Sequence, residues 1–337
     1  MEARYRERAE ALEDEMLSPL AQLAAASRGR EVPEPDDDIR TVFQRDRDRI
    51  VHSKAFRRLA HKTQVFLAPE GDHYRVRLTH TLEVAQVART IARSLGLNED
   101  LVETICLGHD LGHTPFGHQG EQVVAAFDPG FRHNLQSVRV VEVLERLNLT
   151  WEVRDGIAHH TWSMAMPATL EGQIARYADR IAYLNHDIDD ARRAGILSEA
   201  DLPAATLDVL GATHSVRIHT MVADIVEASS HGDAITMSPR VFEAMGETRD
   251  FLFERVYLGR VTPETIHTVD RILTTLLAHH AEAAGGREAA GRGEPPAEGD
   301  DQRAVAVDYV AGMTDRFAIR AFEAVGGEPV GGLGVLV

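Results

Sequence analysis

Apolar residues recur at helical spacing along most of the 337-residue chain. The clearest stretch is residues 78–97, where the positions that share one broad apolar face are Leu82, Ala85, Val87, Ala88, Ile91, Ala92 and Leu95. Similar patterns predict helices at about residues 2–27, 39–61, 99–109, 134–147, 170–194, 214–230, 240–258, 263–281 and 303–325. Because few segments alternate between apolar and polar residues, the pattern predicts an all-α fold.

Interruptions in this pattern predict how the chain is divided. Prolines and acids in RGREVPEPDDD separate an N-terminal helix and connector, residues 1–38, from a large helical core at residues 39–280. Residues 281–302 are rich in Gly, Ala and Pro and predict a flexible loop. Residues 303–337 are then expected to form a C-terminal helix and a tail that pack on the core.

Charge and cysteine content narrow the function. The formal net charge of −17 opposes a broad grip on nucleic acid, which needs clustered Lys and Arg. The basic stretch RDRDRIVHSKAFRRLAHK at residues 45–62 favours a small anionic ligand instead. The single cysteine, Cys106, excludes an intramolecular disulfide and a cysteine-rich zinc site. Without a run of about 18 apolar residues, we expect no membrane association and a cytoplasmic location.

The strongest chemical signal is CLGHDLGHTPFGHQGE at residues 106–121, which follows directly on an apolar helical stretch. His109 and Asp110 are therefore expected where a buried helix ends, at the edge of a core. Imidazole and carboxylate groups without thiolate favour a catalytic ion of Mn, Fe, Mg, Co or Zn. Two further candidate ligands, His80 and Asp179, lie in other helical stretches, and helices that share a core bring such residues together.

The order His80, His109–Asp110, Asp179 resembles the H…HD…D pattern of the HD-domain phosphohydrolase superfamily. Five extended blocks, spread over roughly residues 35–325, narrow this resemblance to the deoxyguanosinetriphosphate triphosphohydrolase-like family. The blocks are RDRIVHSKAFRRLAHKTQVF, RVRLTHTLEVAQVARTIAR, HDLGHTPFGHQGE, YADRIAYLNHDIDDA and VAGMTDRFA. Five blocks in the right order are far more specific than an HD dipeptide.

The resemblance implies an all-helical HD fold with additional peripheral helices, in which residues 39–280 form the catalytic core. It implies metal-dependent hydrolysis of a deoxynucleoside triphosphate at the α-phosphorus, which yields deoxynucleoside and inorganic triphosphate. His80, His109, Asp110 and Asp179 would hold the divalent cation, expected to be Mn²⁺ or Mg²⁺, with Fe²⁺, Co²⁺ and Zn²⁺ as alternatives. The implied partners are the deoxynucleoside triphosphate and further copies of the chain in a homo-oligomer.

Further residues receive roles from their chemistry and from the resemblance. His118 and Glu121 are spaced i, i+3, so a helix that begins near Gly117 places them on one face. There the carboxylate fixes the imidazole tautomer for acid/base or water-positioning work. The predicted substrate contacts are Arg58, Lys62 and Arg77 at the polyphosphate, His113 and His133 near the phosphates, and Gln64 and Tyr183 at the nucleoside.

Two other interpretations stay open. One keeps the HD site but assigns a nucleoside monophosphate, a cyclic nucleotide or a guanosine polyphosphate alarmone as substrate, and the extended blocks argue against it. The other is a catalytically silent nucleotide sensor, against which the intact metal ligands argue. The sequence assigns no role to His159 and His160 and takes Asp187, Asp189 and Asp190 as a solvated helix face. Base preference, oligomer size and any allosteric nucleotide site are left open.

Overall fold

The computed structural model describes residues 5–64, 75–257, 262–285 and 301–330. These residues form α-helices connected by loops. Within the same ranges no β-strand is formed, and the only β pairing consists of isolated bridges, Arg30 with Thr150 and Thr63 with Val76. The predicted all-α fold is confirmed.

The described helices are α1 (Tyr5–Met16), α2 (Val42–His52), α3 (Lys54–Arg58), α4 (Arg77–Ser94), α5 (Glu99–Gly108), α6 (Gly117–Phe127), α7 (His133–Arg139), α8 (Trp151–His159), α9 (Leu170–Arg193), α10 (His214–Ser229), α11 (Pro239–Leu252), α12 (Pro263–Gly285), α13 (Gln302–Ala311) and α14 (Asp315–Ala324). Short 3₁₀ turns lie at Ala24–Ala26, Leu59–His61 and Glu199–Asp201, and π turns at Val140–Leu144, Thr206–Leu210 and Phe253–Tyr257. None of the helices in the described ranges has the length and apolar character needed to cross a bilayer.

The N-terminal segment is less helical than its pattern predicts. α1 ends at Met16, well before the predicted end near residue 27. Pro19 explains this stop, because proline lacks an N–H and disfavours helical backbone at the residue before it, Ser18. The chain then runs as a loop with one 3₁₀ turn, Ala24–Ala26, until α2 begins, and this loop includes the predicted connector.

Side-chain caps divide two other predicted helices. The Ser53 hydroxyl accepts a hydrogen bond from the Phe56 N–H at 3.1 Å and so separates α2 from α3. The Thr314 hydroxyl accepts from the Phe317 N–H at 3.3 Å, and residues 303–325 therefore form two helices instead of one. Two further helices, α6 and α8, are not among those that the apolar pattern predicts.

Parts of the predicted organisation lie outside the described residues. Residues 286–300 of the predicted loop and residues 331–337 of the predicted tail are among these. α12 continues through Gly285, and α13 begins at Gln302. The division of the chain into four parts remains a prediction.

The main core forms around α9, whose side chains are mostly buried. α4, α5, α8, α10 and α11 all pack on it, and α4 and α5 also pack on each other. Gly156 of α8 allows a close approach to α5, since a Cβ there would lie only 2.5 Å from Ile105 Cδ1. Leu82 is an exception to the apolar face predicted for α4, because it is 51% exposed. This packing brings α4, α5 and α9 together along one side of the core.

A second apolar cluster joins the C-terminal helices to α6. α12 packs on α6, α13 and α14. Their buried contacts include Val124, Ile272, Val310 and Phe322. Phe116, which directly precedes α6, belongs to the same cluster. The C-terminal helices therefore pack against α6, the helix that contains His118 and Glu121.

The substitution Gly112→Ala tests how closely the turn after α5 packs on α7. A Cβ on residue 112 would lie 2.2 Å from Ser137 N and 2.3 Å from Gln136 C. We expect Gly112→Ala to lower the free energy of unfolding by about 3 kcal/mol, because backbone atoms of α7 must move. Gly246→Ala in α11 is the matched control, because no described atom would lie within 4 Å of the added Cβ. Helix propensity predicts a gain of about 0.5–1 kcal/mol for that control. Urea unfolding measures both, and a Gly112→Ala variant as stable as the wild type would contradict the packing.

Candidate metal centre and its surroundings

The four predicted metal ligands converge where three helices meet. His80 lies in the first turn of α4, His109 and Asp110 directly follow α5, and Asp179 lies midway along α9. The Asp179 Oδ1 atom is 3.1 Å from His80 Nε2 and 3.7 Å from His109 Nε2. His80, His109 and Asp110 each offer a donor atom within 4.8 Å of the other two. Nitrogen and oxygen donors that are distant in sequence thus form one cluster.

The donor set fits a divalent cation. His109 Nδ1 lies 2.6 Å from the Cys106 carbonyl, which can only accept, so the lone pair of the neutral ring is on Nε2. That Nε2 atom is buried and has no hydrogen-bond partner among the described residues. A buried lone pair is costly unless a proton or a cation meets it. Two imidazoles and two carboxylates without a thiolate suit Mn²⁺, Mg²⁺ and related ions.

Neighbouring charges keep both carboxylates of this cluster ionised. Burial raises the pKa of the Asp110 carboxyl, but His109 and the Arg77 guanidinium lower it well below its usual range. Arg77 NH1 lies 2.6 Å from Asp110 Oδ2, and both side chains are buried. Burial also raises the pKa of Asp179, whereas its hydrogen bond with His80 and the neighbouring His109 imidazole lower it below its usual range.

The turn that follows α5 is held by α7. Ser137 Oγ accepts a hydrogen bond from the Gly112 N–H at 2.9 Å and donates one to the His109 carbonyl at 2.7 Å. Because Gly112 has no side chain, the turn packs directly on the backbone of α7. The same helix begins with His133, which therefore lies beside the metal cluster.

A second polar group surrounds Glu121 in α6. Its carboxylate lies 2.8 Å from His133 Nδ1, 3.7 Å from His118 Nδ1 and 3.9 Å from His113 Nε2. Burial raises the pKa of Glu121, but these three imidazoles lower it well below its usual range. The His118 side chain is 67% exposed, whereas the rings of His113 and His133 are stacked with centroids 4.9 Å apart. The predicted His118–Glu121 proximity is present, and His133 is the closer partner of the carboxylate.

His160, to which the sequence assigns no role, belongs to the same surroundings. Its Nδ1 lies 2.8 Å from the Ile157 carbonyl and its Nε2 lies 3.3 Å from His133 Nε2. Its ring centroid is 5.0 Å from that of His109. Burial and the neighbouring imidazoles lower the pKa of His160 to about 3. Burial also lowers the pKa of His133, but its hydrogen bond with Glu121 outweighs burial and raises it. The block AHHTWS is the sequence signal for His160.

Two of the predicted polyphosphate contacts lie between the histidine-rich turn and the C-terminal helices. The Lys62 Nζ donates to the Ala311 carbonyl at 2.8 Å and to the His113 carbonyl. Burial and a neighbouring guanidinium lower the pKa of Lys62 to about 7. Arg58 is exposed and donates to the Gly312 carbonyl at 3.2 Å. Their contact with a polyphosphate remains a prediction.

The residues predicted at the nucleoside lie on separate elements. Gln64 is half-buried, and its Oε1 atom has no hydrogen-bond partner among the described residues. Tyr183 lies one turn after Asp179 in α9 and packs against the main core, where burial raises its pKa to about 12. Their contact with a nucleoside also remains a prediction.

The acidic side chains near the end of α9 are less exposed to solvent than the sequence predicts. Asp187 and Asp190 are buried, so their interpretation as a solvated face is wrong. α4 and α10 pack over this side of α9 and exclude solvent. Arg75 compensates part of the charge, with its NH1 atom 2.8 Å from Asp190 Oδ1 and 3.2 Å from Asp189 Oδ2.

Comparison with known proteins agrees with this geometry. The family model described as HD domain matches residues 77–184, which include all four predicted metal ligands, and the model described as phosphohydrolase-associated domain matches residues 235–324. The deoxyguanosinetriphosphate triphosphohydrolase-like protein of Caldanaerobacter subterraneus is 51% identical over 96% of each chain. The chain belongs to the deoxyguanosinetriphosphate triphosphohydrolase-like family of HD phosphohydrolases.

Other members of this family are similar over nearly the same length. The protein of that name from Desulfatibacillum aliphaticivorans is 46% identical over 95% of this chain and 97% of its own. The one from Clostridium tetani is 44% identical over 94% of this chain and 95% of its own. The resemblance seen in the sequence blocks is confirmed, and the HD domain is a fold whose members bind divalent metals.

The buried Lys62 predicts a pH dependence of stability. Its ammonium has a pKa of about 7 in the folded chain and an ordinary value of 10.5. Between these values the unfolded chain binds a proton that the folded chain lacks, so stability rises with pH, by up to about 1.4 kcal/mol per unit. Urea unfolding of the wild type and of Lys62→Met between about pH 7.5 and about pH 9.5 measures the difference. Parallel pH profiles for the two proteins would contradict the buried-amine assignment.

Proposed function

We propose that this HD phosphohydrolase cleaves deoxynucleoside triphosphates at the α-phosphorus and releases deoxynucleoside and inorganic triphosphate. The observation that carries the proposal is that the His80, His109, Asp110 and Asp179 cluster adjoins both a buried guanidinium and the imidazoles around Glu121. A polyanionic substrate needs cationic groups, and a phosphoryl transfer needs a proton donor, next to the metal centre. The names of the relatives from Caldanaerobacter subterraneus and Desulfatibacillum aliphaticivorans support the same reaction.

The metal centre would contain Mn²⁺ or Mg²⁺, with Fe²⁺, Co²⁺ and Zn²⁺ as alternatives. When bound, the cation would supply Lewis-acid polarisation of an α-phosphate oxygen and orient the attacking water. His80, His109, Asp110 and Asp179 would hold it. This assignment is supported by the unpartnered His109 Nε2 and by the ionised state of both carboxylates.

Arg77 is the cation best suited to the polyphosphate. It is buried beside Asp110, where a guanidinium can bind phosphate oxygens in bidentate fashion while it retains its charge. Lys62, which donates to the His113 carbonyl and has a pKa of about 7, would add positive charge in its ammonium form, which a neighbouring polyphosphate would stabilise. Arg58, which is exposed, would contact the polyphosphate from the solvent side. His113 and His133, whose rings stack beside Glu121, would contact the phosphates from that side of the site.

Cleavage of the bond between the α-phosphorus and the 5′-oxygen leaves an alkoxide that needs a proton. We assign this donation to His118, whose exposed ring lies within reach of both solvent and the Glu121 carboxylate. The Glu121 carboxylate would hold the imidazole in its orientation. His133, whose pKa is raised by the same carboxylate against the effect of burial, would add positive charge near the phosphates.

Tyr183 would select substrates that contain deoxyribose, and Gln64 would contact the nucleoside. A tyrosine ring packed flat against the sugar leaves no room for a 2′-hydroxyl. The half-buried position of Tyr183, four residues from Asp179 on the same helix, supports this placement. We also propose that the protein is a cytoplasmic homo-oligomer, and the net charge of −17 argues against nucleic acid as a partner.

The reaction is tested by chromatography of the products formed from each deoxynucleoside triphosphate, with metal-stripped protein and with added Mn²⁺ or Mg²⁺. We expect metal-dependent release of deoxynucleoside and intact triphosphate. Asp110→Asn should lower the rate at least about 100-fold, because loss of a residue that merely supports a metal ligand already costs about 10- to 100-fold. His159→Gln is the control, since His159 Nδ1 lies 2.9 Å from Asp155 Oδ1 and the residue belongs to none of the candidate metal-binding groups among the described residues.

Other products would redirect the assignment. Survival of all four substrates, singly and in mixtures that supply an activating nucleotide, would contradict the triphosphohydrolase. Cleavage of a nucleoside monophosphate, a cyclic nucleotide or an alarmone under the same conditions would favour the alternative HD chemistry. Binding without turnover of any of them would favour a sensor.

The acid/base assignment predicts a separate effect for Glu121→Gln. The amide keeps the shape but removes the charge that raises the pKa of His133 and orients His118. We expect kcat to fall about 10²- to 10⁴-fold, the usual contribution of general acid/base catalysis, with Mn²⁺ affinity unchanged. Single-turnover rates and Mn²⁺ titration measure the two quantities. An unchanged kcat would remove Glu121 from the mechanism.

A further inference from the structure

A buried carboxylate of the C-terminal region, Asp315, contacts two segments of the candidate active site. Its Oδ1 accepts a hydrogen bond from the Phe116 N–H at 3.0 Å. Its Oδ2 accepts from the Thr63 N–H at 2.9 Å and from the Thr63 hydroxyl. Asp315 is 6% exposed, so these donors and not water satisfy it. The residue is 199 positions from Phe116 and 252 from Thr63 along the chain.

The Phe116 contact stabilises a turn that the local sequence does not favour. Phe116 has a φ of 62° and Gly117 a φ of 58°, so two consecutive residues adopt the left-handed conformation. For a bulky residue such as phenylalanine this conformation is strained, and it persists only where surrounding contacts require it. The turn directly precedes α6 and therefore sets the position of His118 and Glu121.

The Thr63 contact holds the facing segment. Thr63 lies between Lys62, which donates to the His113 and Ala311 carbonyls, and Gln64. A Cβ placed on Gly117 would lie 3.5 Å from the Gln64 carbonyl, so the two segments pack against each other. Asp315 thus joins the start of α14 to both segments at the point where they meet.

The chemistry of the contact requires a carboxylate. Three donors converge on Asp315, and a carboxylate accepts at both oxygens. An asparagine has one acceptor oxygen and an NH₂ group, which would face at least one N–H or O–H donor. Substitution by asparagine keeps the volume but breaks one side of the contact.

We propose that Asp315 is a positioning residue for the triphosphohydrolase reaction, which fixes the turn before α6 against the Thr63 segment. This inference rests on the proposed function, because the groups that it positions are His118, Glu121 and Gln64. It makes the start of α14 a part of the active site. The C-terminal helices are then required for turnover as well as for stability.

The chain offers a matched control in Asp46 of α2. Asp46 is buried, and its Oδ2 accepts from both the N–H and the hydroxyl of Thr150, each at 2.7 Å. This is the arrangement that Asp315 makes with Thr63, but it lies at the N-terminal end of α8. Asp46→Asn and Asp315→Asn therefore disturb the same kind of threonine contact, and only Asp315 touches the turn before α6. Asp46→Asn also weakens the buried ion pair of Asp46 with Arg30, so it is the more severe of the two changes for stability.

The experiment compares these two variants with the wild type well below their unfolding temperatures. We expect Asp315→Asn to lower kcat about 10- to 100-fold, the effect typical of residues that orient active groups, with Mn²⁺ affinity unchanged. Hydrogen exchange should become faster in residues 113–121 and not in α9. Asp46→Asn should retain the wild-type kcat. If Asp315→Asn does not fold, Thr63→Val removes one donor and should change kcat and exchange in the same direction by less.

Several outcomes would overturn the inference. These are a wild-type kcat in folded Asp315→Asn, an equal loss of kcat in Asp46→Asn, or a fall in Mn²⁺ affinity that matches the fall in kcat. If the wild-type protein cleaves no deoxynucleoside triphosphate, the proposed function fails and the exchange data decide separately. Faster exchange confined to residues 113–121 would then support the positioning contact, and unchanged exchange would contradict it.

Discussion

The end of α5 is the constraint on which the rest of the structure depends. The helix stops at Gly108, and the next two residues, His109 and Asp110, face His80 of α4 and Asp179 of α9. This arrangement requires α5 to pack closely between its neighbours, and it requires the following turn to lie against α7 without a side chain at Gly112. The contacts that pack the core are therefore the same contacts that position the side chains of the site.

Electrostatics explains how an acidic chain can present a site for a polyanion. The net charge is −17, yet the carboxylates at the metal cluster are matched by Arg77 and by several imidazoles. The Glu121 carboxylate of α6 lies within 4 Å of three further imidazoles, those of His113, His118 and His133. The Arg77 guanidinium lies in a buried region, where charges interact more strongly than on the surface. This distribution is consistent with the proposed phosphorylated substrate.

Much of the fold and the metal cluster could be predicted from sequence, because both depend on regular patterns. Apolar spacing identifies most helices, and the HD dipeptide at a helix end, with His80 and Asp179 on other helices, identifies the cluster.

The boundaries at Ser53 and Thr314 depend on capping hydrogen bonds that apolar spacing does not report. His160 was missed because its relevance depends on where α8 ends relative to His109. The burial of Asp187 and Asp190 depends on α4 and α10, which pack over α9. Long-range contacts such as that of Asp315 with Phe116 have no local signature at all.

The central claim is that His80, His109, Asp110 and Asp179 hold one catalytic divalent cation. The most direct measurement is anomalous diffraction at the manganese edge from crystals grown with Mn²⁺. The account predicts one strong peak at coordination distance from the two His Nε2 atoms and from both carboxylates. A peak held instead by Glu121 and its imidazoles, or the absence of any peak beside His109 at saturating Mn²⁺, would contradict it.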